Sequence, residues 1–285
     1  MIQPIIAKRD VTKHILKSFN IHMSKKLGQN FLIDESIVDG IVDAADIQEG
    51  ETVLEIGAGI GTLTQGLAEA KANVIAVELD KRLPDVLAHT LAGYENVKIV
   101  QGDILKVNIP EITGGGSFKV VANLPYYITT PIVMALLEQR LPMTKLVTMV
   151  QKEVALRMVA NPGKKDYGAL SVAVQYYTKP KIVLDVPPYS FIPAPDVDSV
   201  VICCEVRQKP PVDVADEKMF FRVVKAAFCQ RRKTLNNALK TMGIDKETVM
   251  EILQQSGIDG IRRGETLSLT EFAVIANQVS ANQKQ

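Results

Sequence analysis

The sequence predicts an α/β domain built on a mostly parallel sheet, followed by a small all-helical domain. Three observations carry that expectation. Short β-rich runs alternate with helical patterns from Glu51 to Arg207, "KPPVD" at Lys209–Asp213 interrupts the alternation, and the chain beyond it is helical in period. Alternating strands and helices imply parallel strands covered on both faces, and the interruption implies a second folding unit. A length of 285 residues suits one domain of ordinary size plus a small one, at roughly 100–200 residues per domain.

In order along the chain, the strands are predicted at "TVLEIG", "NVIAVEL", "VKIVQGD", "FKVVANL", "KLVTMVQ", "KIVLDV" and "SVVICCEV", with helices at "LTQGLAEAK", "TTPIVMALLEQ" and "EVALRMVA" among them. Past 209, "EKMFFRVVKAAF", "KETVMEILQQSG" and "SLTEFAVIANQV" have helical spacing. Residues 1–24 form a basic extension, so the expected organisation is 1–24, 25–208 and 209–285.

Composition narrows the function. A hydrophobic content of 47% supports a full core, while no run approaches the ~20 apolar residues of a membrane span. The N-terminal stretch lacks a secretory apolar segment, so a cytoplasmic protein is expected. Cys203 and Cys204 are adjacent and Cys229 is remote, which is neither a metal-ligand spacing nor a disulfide framework; all three are expected to be reduced packing residues. Net charge is +1 but unevenly spread. Up to Asn30 the only acid is Asp10, against Lys8, Arg9, Lys13, Lys17, Lys25 and Lys26; Phe220–Lys240 has no acid, with Arg222, Lys225, Arg231, Arg232, Lys233 and Lys240. Two basic segments around a more acidic middle suit either a phosphate-facing surface or two solvated helix faces.

The first chemical signal is "LEIGAGIGTLT" at Leu54–Thr64. A strand entering Gly57, Gly59 and Gly61 and then a helix lets backbone approach a ligand closely. One βαβ unit later, Glu78 and Asp80 stand where carboxylates accept from ribose hydroxyls. Nicotinamide enzymes share this architecture, but Glu55 just before the turn would repel a pyrophosphate and would suit a ligand bearing an ammonium and a sulfonium. The expected cofactor is therefore S-adenosylmethionine. Asp103 of "QGDILK" ends the third strand, as a helix cap or as an acceptor for an adenine amine.

"NLPYYITTP" at Asn123–Pro131 follows the fourth strand. Pro125 fixes the turn and leaves the preceding carbonyl without a helical partner. An amide oxygen and that carbonyl are two acceptors able to hold an exocyclic amine with its lone pair toward a methyl donor. Tyr126 offers a face for base stacking; packing alone would also explain both tyrosines.

These motifs resemble the adenine-N6 methyltransferases of ribosomal RNA. "KKLGQNFL", "VELDKRL", "QGD", "ANLPYYITTPI", "KDYGALSV", "FIPAPDVDSVV" and "FCQRRKTLNNAL", in this order across nearly the whole chain, are similar to the KsgA-type dimethyladenosine transferases of the small ribosomal subunit. The resemblance implies a Rossmann-like methyltransferase domain and dimethylation of two adjacent adenosines near the 3′ end of 16S rRNA. The implied partner is an immature small subunit, met by a monomer without metal or membrane in a bacterial cytoplasm. By position it implies that Asn30 and Leu32 close over the cofactor, Gly57 and Gly59 line its amino-acid part, Glu78 holds its ribose, and Asp103 its adenine. Asn123 would touch cofactor and target amine, with Tyr126 on one face of the base and Phe191 on the other. Arg231, Arg232 and Lys233 would grip the RNA backbone.

Two rivals remain open on the sequence. Large-subunit methyltransferases of the macrolide-resistance type share the glycine turn and a similar asparagine motif, although "FIPAPDVDSVV" and "FCQRRKTLNNAL" argue against them. A ribosome-assembly or transcription-associated binding factor with little catalysis is the other, against which stand intact Glu55, Glu78, Asp103 and "NLPY".

Overall fold

The structure, a computed structural model, describes residues 4–24 and 27–283. Lys25 and Lys26, counted above in the basic extension, lie outside the described residues.

The chain divides into two compact units, Met1–Ala155 with Lys179–Val206, and Leu156–Thr178 with Arg207–Gln285. In the first, α1 (Arg9–Ser18), β1 (Phe31–Leu32) and α2 (Glu35–Ala45) precede the alternation. Then come β2 (Thr52–Ile56), α3 (Thr62–Glu69), β3 (Asn73–Glu78), α4 (Pro84–Thr90), β4 (Val97–Gln101), α5 (Ile109–Thr113), β5 (Phe118–Asn123), α6 (Thr129–Glu138) and β6 (Met143–Gln151). Helices α7 (Lys152–Val159) and α8 (Ala169–Tyr177) are followed by β7 (Thr178–Val186), β8 (Phe191–Ile192) and β9 (Ser199–Val206).

All seven strands expected from the sequence enter one sheet of order β4-β3-β2-β5-β6-β9-β7. Strands β4 through β6 are parallel, and β9 pairs antiparallel with β6, Gln151 opposite Ser199. Central strands covered on both faces must be apolar throughout rather than alternating. Strand β2 accordingly buries Val53, Leu54 and Ile56, and β5 buries Phe118 and Val120 through Ala122; the charged exceptions are Glu55, treated below, and Lys119, which pairs with Glu51 at 2.6 Å. Strand β7, at the sheet edge, alternates instead; exposed Lys179, Lys181 and Asp185, together with Pro180, discourage pairing with another chain. A separate pair joins β1 to β8 antiparallel, Leu32 opposite Phe191.

The chain builds outward from β2 to β3 and β4, then crosses to β5 on the other side. Such a switch point opens a crevice at the carboxyl ends of the strands. It is here that Glu55, Glu78 and Asn123 emerge.

The second unit contains α8 with α9 (Glu217–Cys229), α10 (Leu235–Leu239), α11 (Lys246–Gln255) and α12 (Leu269–Asn282). Side-chain caps start three of its helices: Asp216, Asp245 and Ser268 accept from first-turn amides, and Glu271 completes a capping box with Ser268. The chain enters this unit at Arg207, and 156–178 also belongs to it. The physical reason is aromatic: Tyr176 stacks on Phe220, Tyr177 stacks on Phe221, and the Tyr167 hydroxyl donates to the Leu267 carbonyl at 2.8 Å.

Candidate functional site

Gly57, Gly59 and Gly61 have φ of +79°, +61° and +95°, the left-handed region that glycine enters without steric cost. Their turn delivers the chain into α3 and opens a cavity. Its wall includes Gly28 and Asn30 from the segment before β1 and Leu32 of β1, Glu55 near the end of β2 with Gly57 and Gly59 after it, and Glu78, Asp103, Asn123 and Tyr126 at or just beyond the ends of β3, β4 and β5.

Glu78 shapes the turn as well as facing the cavity. Its Oε2 accepts from the Gly59 amide and its Oε1 from the Asp80 amide, each at 2.8 Å. Burial raises its pKa, against the two amides that favour the charged form. Glu55 is 1% exposed and its Oε2 has no hydrogen-bond partner. Burial, assisted by the charge of Glu78, pushes its pKa up to about 8, while the nearby Thr64 hydroxyl acts the other way. A buried carboxylate oxygen without a partner at a cavity wall fits a cationic ligand, as the ammonium and sulfonium of S-adenosylmethionine require. The glycine turn beside it leaves room for the same ligand, since neither Gly57 nor Gly59 puts a side chain into the cavity it lines.

Asp80 does not join this wall. Its carboxylate is taken by Arg82, at 2.6 Å from NH2, and by the Gln29 amide at 2.7 Å. The Arg82 guanidinium holds it down to a pKa of about 2. Arg82 also donates to the His22 carbonyl at 3.0 Å, so this cluster fastens the segment that carries Gly28 and Asn30. Only the acidic residue of this latch was visible in the sequence; Gln29 and Arg82 lie in motifs whose spacing says nothing of their meeting. Pro84 takes the first position of α4, where its missing N–H costs nothing. Asp103 closes its own turn by accepting from the Leu105 amide at 3.1 Å, and still lines the cavity.

Asn123 uses its amide nitrogen to reach the Asn30 carbonyl at 3.4 Å, which leaves Oδ1 as the acceptor available to the cavity. The Tyr126 hydroxyl meets Ser199 Oγ at 2.6 Å, and burial raises its pKa. Ser199 is 1% exposed at the start of β9. Neighbouring Tyr127 is 57% exposed at the cavity mouth. Phe191 is placed differently from these residues: it is 2% exposed, packs in the main core and is absent from the cavity wall. His14, His22 and His89 are also outside the wall. Among the described residues no cluster of His, Cys, Asp or Glu could hold a metal ion, and no helix is long and apolar enough to cross a membrane.

In the second unit Arg231, Arg232 and Lys233 are all exposed in the turn between α9 and α10. They are not equivalent. Arg231 donates to the carbonyls of Lys165 at 2.6 Å and Tyr167 at 3.3 Å and approaches Glu265 at 3.5 Å, so it fastens its own unit. Arg232 and Lys233 have no such side-chain partner among the described residues.

Comparison with known proteins agrees with this geometry. The chain is 51% identical to the ribosomal RNA small subunit methyltransferase A of Alkaliphilus metalliredigens, over 95% of this chain and 97% of that protein. It is 50% identical to the protein of the same name from Clostridioides difficile, over 96% and 97%. Among solved structures it resembles a dimethyladenosine transferase from Plasmodium falciparum, with a TM-score of 0.75, 27% identity, and coverage of 89% of this chain and 98% of that one. It also resembles the 23S rRNA methyltransferase ErmE, with a TM-score of 0.68, 26% identity, and coverage of 88% and 100%. The description that matches residues 20–274 is ribosomal RNA adenine dimethylase. A glycine turn backed by carboxylates, beside an asparagine with its oxygen free, is thus the site of a chain that belongs to the ribosomal RNA adenine dimethylase family.

Proposed function

We propose that this protein dimethylates the N6 amines of two adjacent adenosines near the 3′ end of 16S rRNA, acting as a monomer on an immature small subunit in the bacterial cytoplasm. The observation that carries this is Asn123: its nitrogen is committed to Asn30, so its oxygen is the end presented to a cavity already lined by Glu55, Glu78 and Asp103.

S-adenosylmethionine, when bound, supplies an electrophilic methyl group on a sulfonium. Glu55 would face that cation, the Gly57–Gly59 backbone would line the amino-acid part, Glu78 would accept from the ribose and Asp103 from the adenine. Oδ1 of Asn123 and the Leu124 carbonyl accept the two hydrogens of the target amine and draw its lone pair out of conjugation with the ring. The nitrogen so held would be free to take that methyl group, and these acceptors leave the amine's surplus proton an exit to solvent. No histidine is required, because a methylated amine conjugated to its ring loses that proton readily. The same acceptors serve the second transfer, with one hydrogen fewer to hold. Tyr126 supplies the stacking face, while Phe191 reaches the base only if the β1–β8 pair shifts. Arg232 and Lys233 contact RNA phosphates.

The likeness to ErmE keeps the large subunit as the competing substrate. Labelled methyl donor is supplied to unmethylated small subunits and, separately, to large subunits, and the labelled adenosines are mapped. Label on two adjacent adenosines near the small-subunit 3′ end is expected; label confined to large-subunit RNA would overturn the proposal.

A further inference from the structure

Helix α1 has two faces with different fates. Thr12, Ile15 and Leu16 are buried, and Ile6, Ala7, Ile15 and Leu16 belong to the main core. Gln65 of α3, itself 4% exposed, accepts from the Ile6 amide at 2.8 Å and donates to the Pro4 carbonyl at 3.1 Å. The Thr12 hydroxyl returns to the Ile6 carbonyl at 2.7 Å. At its other end the segment is held by Arg82 on the His22 carbonyl, a few residues before Gly28 enters the cavity wall. The helix is therefore a fixed part of the methyltransferase unit.

Its outer face carries Lys8, Arg9, Lys13 and Lys17, all exposed. Positions 9, 13 and 17 recur every four residues and form one stripe, an arrangement whose mutual repulsion disfavours the helix itself. Among the described residues no ion pair or side-chain hydrogen bond relieves any of the four, in contrast to Arg231. Asp10 is the only acid on the helix. A membrane-surface helix would present apolar residues beside such cations; here the apolar face is already spent in the core. What remains is a rigid row of four cations against one exposed acid, without an ion pair among the described residues, the complement of a row of phosphates.

We propose that the outer face of α1, through Arg9, Lys13 and Lys17 with Lys8 beside them, docks the phosphate backbone of the RNA substrate and sets its position on the methyltransferase unit. This rests on the reading of the substrate given above and assigns it a contact surface on the unit that holds the cavity.

The test compares wild type with the full-length R9Q/K13Q/K17Q variant. Affinity for unmethylated small subunits and for large subunits is measured from 50 to 200 mM salt. Three phosphate contacts account for roughly a 20–40-fold share of the affinity lost across that range, so the variant should be weaker at low salt and its salt-induced loss smaller by that factor. The R9K/K13R/K17R variant should restore the wild-type dependence, and affinity for S-adenosylmethionine should be unchanged in all three proteins. An unchanged salt dependence in the Gln variant, with that cofactor affinity intact, would overturn the docking surface. A wild type that prefers large subunits overturns the substrate reading instead, and the slope on whichever subunit is bound still decides for or against α1.

Discussion

Removing one oxygen atom from Tyr126 should be more disruptive than removing it together with its partner. The Tyr126 hydroxyl lies 2.6 Å from Ser199 Oγ, and Ser199 is 1% exposed, so Tyr126→Phe strands a buried hydroxyl. Leaving such a group unpaired costs about 1–3 kcal/mol, whereas replacing both partners by apolar groups is nearly neutral. Ser199→Ala should cost less than Tyr126→Phe, because the half-buried tyrosine oxygen can turn to water. The double variant should recover much of the loss, giving a coupling of about 1 kcal/mol or more between the two sites. The same bond fixes the ring axis from its far end, so single-turnover methylation by Tyr126→Phe should fall between wild type and Tyr126→Ala. Ring area, worth roughly 1–3 kcal/mol in stacking, survives in the Phe variant but its aim does not. Urea unfolding of wild type, the two single variants and the double variant, with single-turnover assays that add Tyr126→Ala, decides the matter. Additive losses would show that the hydrogen bond is idle, and a Phe variant as inactive as Ala would refute stacking as the function of the ring.

Three further outcomes follow from the cavity. Glu78→Ala should weaken S-adenosylmethionine binding by about 1.5–3 kcal/mol, roughly 10–150-fold by calorimetry; unchanged affinity in a folded variant would remove Glu78 from the ribose. Glu55 has its pKa raised from 4.5 to about 8, so the stability it contributes is fully present below pH 4.5 and is lost as pH rises through 8. Relative to Glu55→Gln, ligand-free wild type should therefore lose stability from pH 5 to 9, by on the order of 4 kcal/mol at most, while the variant binds the cationic cofactor more weakly at the upper end; parallel melting curves would exclude the raised pKa. Asn123→Ala should depress the single-turnover rate far more than affinity for small subunits, and equal losses in both would assign Asn123 to binding.

The central strands were legible because burial on both faces of a parallel sheet demands continuous apolar runs, and the edge strand β7 by its alternation; all seven expected strands enter the sheet. The glycine turn, Glu55 and Asn123 were legible for a related reason: each is a residue type that a strand end does not otherwise need. Helix α1 was not assigned, since its apolar residues are few and the segment leading into it is held from afar, the Ile6 amide by Gln65, 59 positions away. Ser199 was present only as a letter in "FIPAPDVDSVV", and nothing local announces its meeting with Tyr126, 73 residues distant. Phe191 and Arg231 show the converse: their types suggested a stacking face and a phosphate grip, while their surroundings use one as core and the other as a clasp. Side-chain type states what a residue can do, and tertiary neighbours decide which of those uses is left open.

The order in which the chain leaves the ribosome gives the β6–β9 pairing a further meaning. When Ala155 has emerged, five parallel strands are available, but β6 ends the sheet with one side unpaired and Tyr126 has no Ser199. The strand that closes both gaps arrives only with Ser199–Val206, after 156–178, which belongs to the other unit, has been made. A nascent or proteolytically shortened chain ending near 155 thus exposes a nine-residue strand edge, a template for pairing between chains. Any attempt to isolate the methyltransferase unit must carry residues 179–206 as well, and replacing 156–178 by a short linker that joins this segment directly to β6 offers a route to a continuous one.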